Sequence, residues 1–177
     1  MELIDNKPLL QRQIDNAHAA TTGPVLVTLP PAPHPRHALT QKTMAQIVPV
    51  PDAVDGMSAS LRRGLEAIAN DAPAAMILLA DLPELTATDL RCVLAAVDTD
   101  SNALIWRGAT EDGKPGHPIV FARPLFNALQ QLVGDEGGNR VAKDNSDRME
   151  LIRLPGQRAR LDLDTPEEWE RWRNEIR

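Results

Sequence analysis

Apolar residues along the chain follow two rhythms, and their alternation predicts the order of elements. Where they recur three and four positions apart they predict helices. Leu10, Ile14 and Ala17 do so between Pro8 and Gly23, giving a helix over 8–20. Leu61, Leu65 and Ile68 do so behind Ser58, a residue with the chemistry of an N-cap. Leu90, Val93, Leu94 and Val97 form a third face, begun by Thr86 with Asp89 three residues on, a capping-box spacing. An amphipathic segment over 124–133 stops at Gly134. Thr165-Pro166-Glu167-Glu168 combines an N-cap, a first-turn proline and a capping glutamate, and starts a last helix with Trp169, Trp172 and Ile176 on one face. Between these segments lie short apolar runs that read as strands: Val25 to Leu29, Ala45 to Val50, Ala75 to Ala80, Ala103 to Trp106, Ile119 to Phe121 and Met149 to Leu154.

Ala75-Met76-Ile77-Leu78-Leu79-Ala80 is the most informative of these runs. It lacks alternation, so it reads as a strand buried on both faces in a parallel sheet. It ends on Asp81 and is broken by Pro83. Ligands of open α/β sheets collect at the carboxyl ends of strands. Asp81 therefore stands where a Mg²⁺-bound triphosphate could be held, because Mg²⁺ takes oxygen from one or two carboxylates plus substrate phosphates. A capping or loop carboxylate is the plain alternative. Strand and helix alternate with one hairpin-like insertion around Asp112-Gly113-Lys114-Pro115-Gly116, which predicts a three-layer α/β/α sandwich with a mostly parallel sheet.

Composition narrows the partners. The 177 residues are 42% hydrophobic and 25% charged, ordinary for one soluble domain, and 25 acidic against 19 basic residues give a net charge of −6. There is no basic block, which argues against a nucleic-acid partner. Cys92 is the single cysteine and no Cys/His cluster accompanies it, so neither an intramolecular disulfide nor a structural zinc is expected, and a reducing cytoplasm fits. His34 and His37, in the proline-rich stretch 30–37, lack a neighbouring carboxylate or cysteine and are not read as metal ligands. No run approaches membrane-spanning length, and the N-terminus carries Glu2 and Asp5 in place of a basic export signal, so no membrane partner is expected.

Several segments succeed one another in an order shared with a known family. They are Gly56-Met57-Ser58-Ala59-Ser60-Leu61 with Gly64-Leu65, then Leu79-Ala80-Asp81-Leu82-Pro83, then Gly116-His117-Pro118-Ile119-Val120-Phe121. Gly134-Asp135 with Gly137 and Arg140, and Asp162-Leu163-Asp164-Thr165-Pro166-Glu167, complete the series. Together they resemble the MobA-like nucleotidyltransferases, most closely the molybdenum cofactor cytidylyltransferases. The resemblance implies a Rossmann-like nucleotidyltransferase fold in a single domain over 1–177. It also implies a reaction in which a molybdopterin phosphate oxygen attacks the α-phosphorus of CTP or GTP and releases pyrophosphate, with Mg²⁺ as cofactor and a molybdoenzyme as a possible recipient.

Carried onto this chain, the resemblance makes Asp81 and Asp164 catalytic and metal-binding, with Asp162 the weaker candidate. It makes Ser58 and Ser60 binders of pyrimidine or ribose, His117 a binder of phosphate or pterin on the acceptor side, and Arg140 a binder of phosphate. Each has a simpler reading: Asp164 supports the last helix, one serine caps a helix, His117 is structural, and Arg140 is a surface residue. A non-catalytic molybdopterin-binding protein is one alternative function. A nucleotide-sugar glycosyltransferase using Asp162 and Asp164 is another. The chain departs from the family at its start, where Met1-Glu2-Leu3-Ile4-Asp5-Asn6-Lys7-Pro8-Leu9-Leu10 resembles the segment after the usual first strand and Gly-rich phosphate loop. Lys7 belongs to that later segment and is not the phosphate lysine. The domain is thus expected to be N-terminally truncated, with weak triphosphate binding and either a gap in the sheet or a sheet that closes up.

Overall fold

The structure, a computed structural model, describes residues 2–41 and 43–175. A small hairpin opens it: β1 (Leu3–Ile4) pairs antiparallel with β2 (Lys7–Pro8) across Asp5 and Asn6, at φ 50° and 61°. Two-residue hairpin turns favour residues that accept positive φ, and Asp and Asn are among the few that do. Helix α1 (Leu9–Ala20) comes directly after, then β3 (Leu26–Leu29), a short helix α2 (His37–Thr40) inside the proline-rich stretch, and β4 (Gln46–Pro49). The remainder is α3 (Met57–Glu66), β5 (Ala74–Ile77), α4 (Ala87–Ala95), β6 (Ile105–Ala109), β7 (Pro115–Ala122), α5 (Phe126–Gln130), α6 (Asn139–Asp144), β8 (Met149–Arg153) and α7 (Pro166–Glu175).

The four-stranded sheet runs β5-β7-β6-β8, and its central strands β6 and β7 are largely buried on both faces. Alternation along its strands divides two cores. Ile105, Ile119 and Phe121 pack with Leu65 of α3, Phe126 and Leu129 of α5 and Val141 of α6. Trp106, Val120 and Ala122 turn the other way, onto Val93 of α4 with Leu82, Leu85 and Leu154. This is the predicted arrangement of helices on both sides of a central sheet. The pairing is mixed: β6–β8 and β3–β4 are parallel, while β5–β7 and β6–β7 are antiparallel because β7 returns through the 110–114 turn. The sheet does not close up. β3 and β4 form a separate pair, with Leu26 opposite Gln46, and no ladder joins β3 to β5 among the described residues.

Four expectations need correction. The strand read as running to Ala80 ends at Ile77, opposite Ile119, because the next partner, Pro118, has no N–H for a further rung. Its side chains are half-buried, since only one strand flanks it. Ser58 is not the N-cap of α3: Gly56 is, at φ 96°, and a Cβ there would strike the Gly134 carbonyl. The helix expected over 124–133 shrinks to α5 after a 3₁₀ turn at Arg123–Leu125. In the last helix Trp169 and Trp172 are buried against Ile4, Leu9 and Leu163, while Ile176 lies outside the described residues.

Candidate active site

Leu78, Leu79 and Ala80 leave the ladder after β5 and carry the chain into a turn at Asp81. Helix α1 fixes the segment just beyond Asp81, with Gln13 Nε2 donating to the Leu82 carbonyl at 2.6 Å and Asn16 Nδ2 to that of Leu85 at 2.9 Å. Leu82 and Leu85 are anchored in the core, so the turn between β5 and α4 is held at its far end.

The opposite wall is the segment after β8. Glu111 N donates to Gly156 O at 2.9 Å, and Arg158 pairs with the buried Asp89 at 3.4 Å. His117 N donates to Ala159 O at 2.7 Å. That last contact requires Gly116, because any Cβ there would collide with the Ala159 carbonyl. Beyond it Leu163 is buried with the two tryptophans, and Asp162 and Asp164 on either side of it remain exposed. The cap of α7 is made without Asp164's carboxylate: Glu168 Oε2 accepts from the Asp164 and Thr165 amides, and Thr165 Oγ1 accepts from Glu168 N at 3.2 Å.

These walls set Asp162 and Asp164 near enough to Asp81 for their charges to act on it. Solvent reaches Asp81, yet its carboxyl is held above the usual carboxylate range, first by partial burial and then by the charges of Asp162 and Asp164. Asp162 acts more strongly on it than Asp164, and acts on His117 as well. Asp162 also lines a cleft of about 480 Å³ with Glu84, Leu161, Glu168 and Trp172.

His117 is pushed down to about 4 by burial and by the Arg107 charge, so its ring is neutral near pH 7. Its Nδ1 is buried without a hydrogen-bond partner. Arg107, from the middle of β6, donates from Nε to Gly116 O at 2.8 Å and from Nη2 to Asn139 Oδ1 at 2.7 Å. Burial and the neighbouring Arg160 both lower its pKa. Sequence reasoning passed over Arg107 and Arg160; the available signal was a lone arginine inside the apolar run Ile105-Trp106-Arg107-Gly108-Ala109.

Other expected residues are otherwise engaged. Ser58 is fully buried, its amide donating to Gly134 O at 3.0 Å and its hydroxyl accepting from Arg62 Nη1 at 3.1 Å. Ser60 lies half-buried on the same helix. Arg140 is exposed and paired with Glu136 at 2.6 Å. Lys7 pairs with Asp15 at 2.6 Å.

The donor chemistry fits a hard divalent cation, since mutually repelling carboxylate oxygens around Asp81 are relieved by positive charge. Among the described residues no three such groups stand ready to cage a metal by themselves. That suits an ion completed by substrate phosphates. No helix among the described residues is long and apolar enough to cross a membrane.

A family model, the MobA-like NTP transferase domain, matches residues 1–149. No curated protein matches significantly. Among solved structures, the chain is similar to an Rv0371c homolog from Mycobacterium sp. strain JC1, at 27% identity and TM-score 0.81, covering 99% of this chain and 86% of that one. A manganese complex of Rv0371c from Mycobacterium tuberculosis H37Rv is 24% identical, TM-score 0.80, covering 97% and 88%. CMP:2-keto-3-deoxy-manno-octonic acid synthetase complexed with CTP shares 14% identity, TM-score 0.66, covering 98% and 92%.

Proposed function

The chain belongs to the MobA-like NTP transferase family, and we propose that it transfers a nucleoside monophosphate from CTP, or from GTP, to the phosphate of a molybdopterin-type acceptor. An acceptor phosphate oxygen bonds to the α-phosphorus, the bond from the α-phosphorus to the bridging oxygen breaks, and pyrophosphate leaves. The observation that carries this reading is the convergence of Asp162 and Asp164 on Asp81 beyond β5. Such a carboxylate set holds a divalent ion, Mg²⁺ in this proposal, that neutralises charge on the phosphoryl oxygens. A neighbouring structure with manganese and another with CTP support the choice of ion and nucleotide class.

In this reading Asp81, Asp162 and Asp164 orient the triphosphate through the ion, with Asp162 carrying the larger share of the pair. Neutral His117 holds the acceptor side, where its ring donates or accepts without adding charge. Ser60 and Arg140 line the nucleotide side, and Ser58 supports them from within the helix. The product passes to a molybdoenzyme in the cytoplasm.

Pyrophosphate release from CTP and from GTP, with Mg²⁺ and a phosphorylated pterin acceptor, tests the proposal. Acceptor-dependent release with one nucleotide preferred is expected. Acceptor binding with no release from either would favour a non-catalytic binding protein, and release of nucleoside diphosphate would favour a glycosyltransferase.

A further inference from the structure

We propose that Arg107, Arg160 and His117 form an anion site that receives a phosphate monoester, which in the reaction above is the acceptor's phosphate; the assignment of that phosphate rests on the proposed function. The site is built where β7 and the 155–161 segment touch. Gly116 allows the Ala159 carbonyl to lie against the strand, and His117 N is bonded to it at 2.7 Å. Arg107 reaches the same seam from the neighbouring strand, through its 2.8 Å bond to Gly116 O. Arg160 comes directly after Ala159. One close backbone approach thus brings the Arg107 guanidinium beside the buried His117, with Arg160 near enough for its charge to act on Arg107.

Their bonding is incomplete in a way that favours an anion. Among the described residues neither Arg107 nor Arg160 makes an ion pair with a carboxylate. Arg107 spends two of its five N–H donors on neutral acceptors, Gly116 O and Asn139 Oδ1. A half-buried guanidinium without a counter-ion is costly, and a second one beside it adds repulsion. The unpartnered Nδ1 of His117 is a further vacancy at the same seam, one that a phosphate hydroxyl would fill as donor, since the Ile77 carbonyl engages the other side of the neutral ring. A phosphate monoester supplies what is missing: negative charge, oxygens that match the planar fork of arginine and, as the monoanion, a hydroxyl for His117. Asp162, two residues beyond Arg160, acts on both His117 and Asp81, so this cationic seat adjoins the acidic one. Acceptor phosphate and metal-bound nucleotide would then meet at Asp162.

The test is NMR titration of the full, ¹⁵N-labelled chain with phenyl phosphate and with inorganic phosphate at constant ionic strength. Saturable shifts of the Arg107 side-chain N–H and the His117 ring are expected. Affinity should fall at least tenfold in Arg160→Gln and in Arg107→Gln, but not in Arg91→Gln, which removes the same charge from α4. Arg160 is exposed, so its variant keeps the test valid should Arg107→Gln fail to fold. Shifts that do not saturate, or equal losses in all three variants, would overturn the site. Saturable binding by a chain that releases no pyrophosphate would leave the site standing and remove the transferase reading. Turnover with an acceptor KM unmoved by Arg160→Gln would do the reverse.

Discussion

At Asp81, two like charges meet a crowded carboxyl, and the same crowding that suits a cation is a burden without one. Asp81→Asn should lower pyrophosphate release by about a hundredfold or more, the scale of losing one charge-stabilising group. Its melting temperature should stay level or rise, because a source of repulsion is gone; calorimetry beside the activity assay separates the two. Asp162→Asn should cost more turnover than Asp164→Asn, since Asp162 acts more strongly on Asp81 and reaches His117. A larger loss in Asp164→Asn would restore the order inferred from sequence. His117 gives a pH signature. Its folded pKa of about 4 lies below the ordinary 6.5, so between those values the unfolded chain binds the extra proton and the folded chain does not. Stability should therefore fall as pH drops from about 6.5 to 4, by roughly 3 kcal/mol at most. Chemical denaturation of His117→Asn across that range should show a flatter profile.

Among elements, the local signals read correctly were those closed within a few residues. The Thr86/Asp89 box forms as its spacing predicts, with Asp89 N donating to Thr86 Oγ1 and Thr86 N to Asp89 Oδ2 at 3.0 Å. Thr165 and Glu168 repeat the device at α7. Thr86→Ala should cost about 1 kcal/mol, and a thermal melt should show a loss of roughly 2–4 °C. What the sequence concealed depends on distant partners. The end of β5 is set by Pro118 of another strand, and the apolar residues after Ile77 gave no sign of it. Ser58 looked like a cap because of its chemistry, but Gly56 takes that place because the Gly134 backbone presses against it. Arg107 and Arg160 become neighbours only through the Gly116–Ala159 approach, which no local spacing announces.

Across the whole molecule, alternation of strand and helix was enough to foresee a sheet covered on both faces, because the burial of each strand's two sides is written in its own apolar run. Pairing order was not, since a run of apolar residues does not name its neighbour. The separation of β3–β4 from the four-stranded sheet bears on how the molecule breathes. Among the described residues no ladder ties these two parallel strands to β5, so their opening need not await that of β6 and β7. Native-state hydrogen exchange should resolve two cooperative units. Amides of Leu26–Leu29 and Gln46–Val50 should exchange through a low-energy opening, and those of Ile105–Ala109 and Ile119–Ala122 only through global unfolding. A single opening energy shared by all four segments would mean that side-chain packing across the divide couples the two parts as firmly as a continuous ladder.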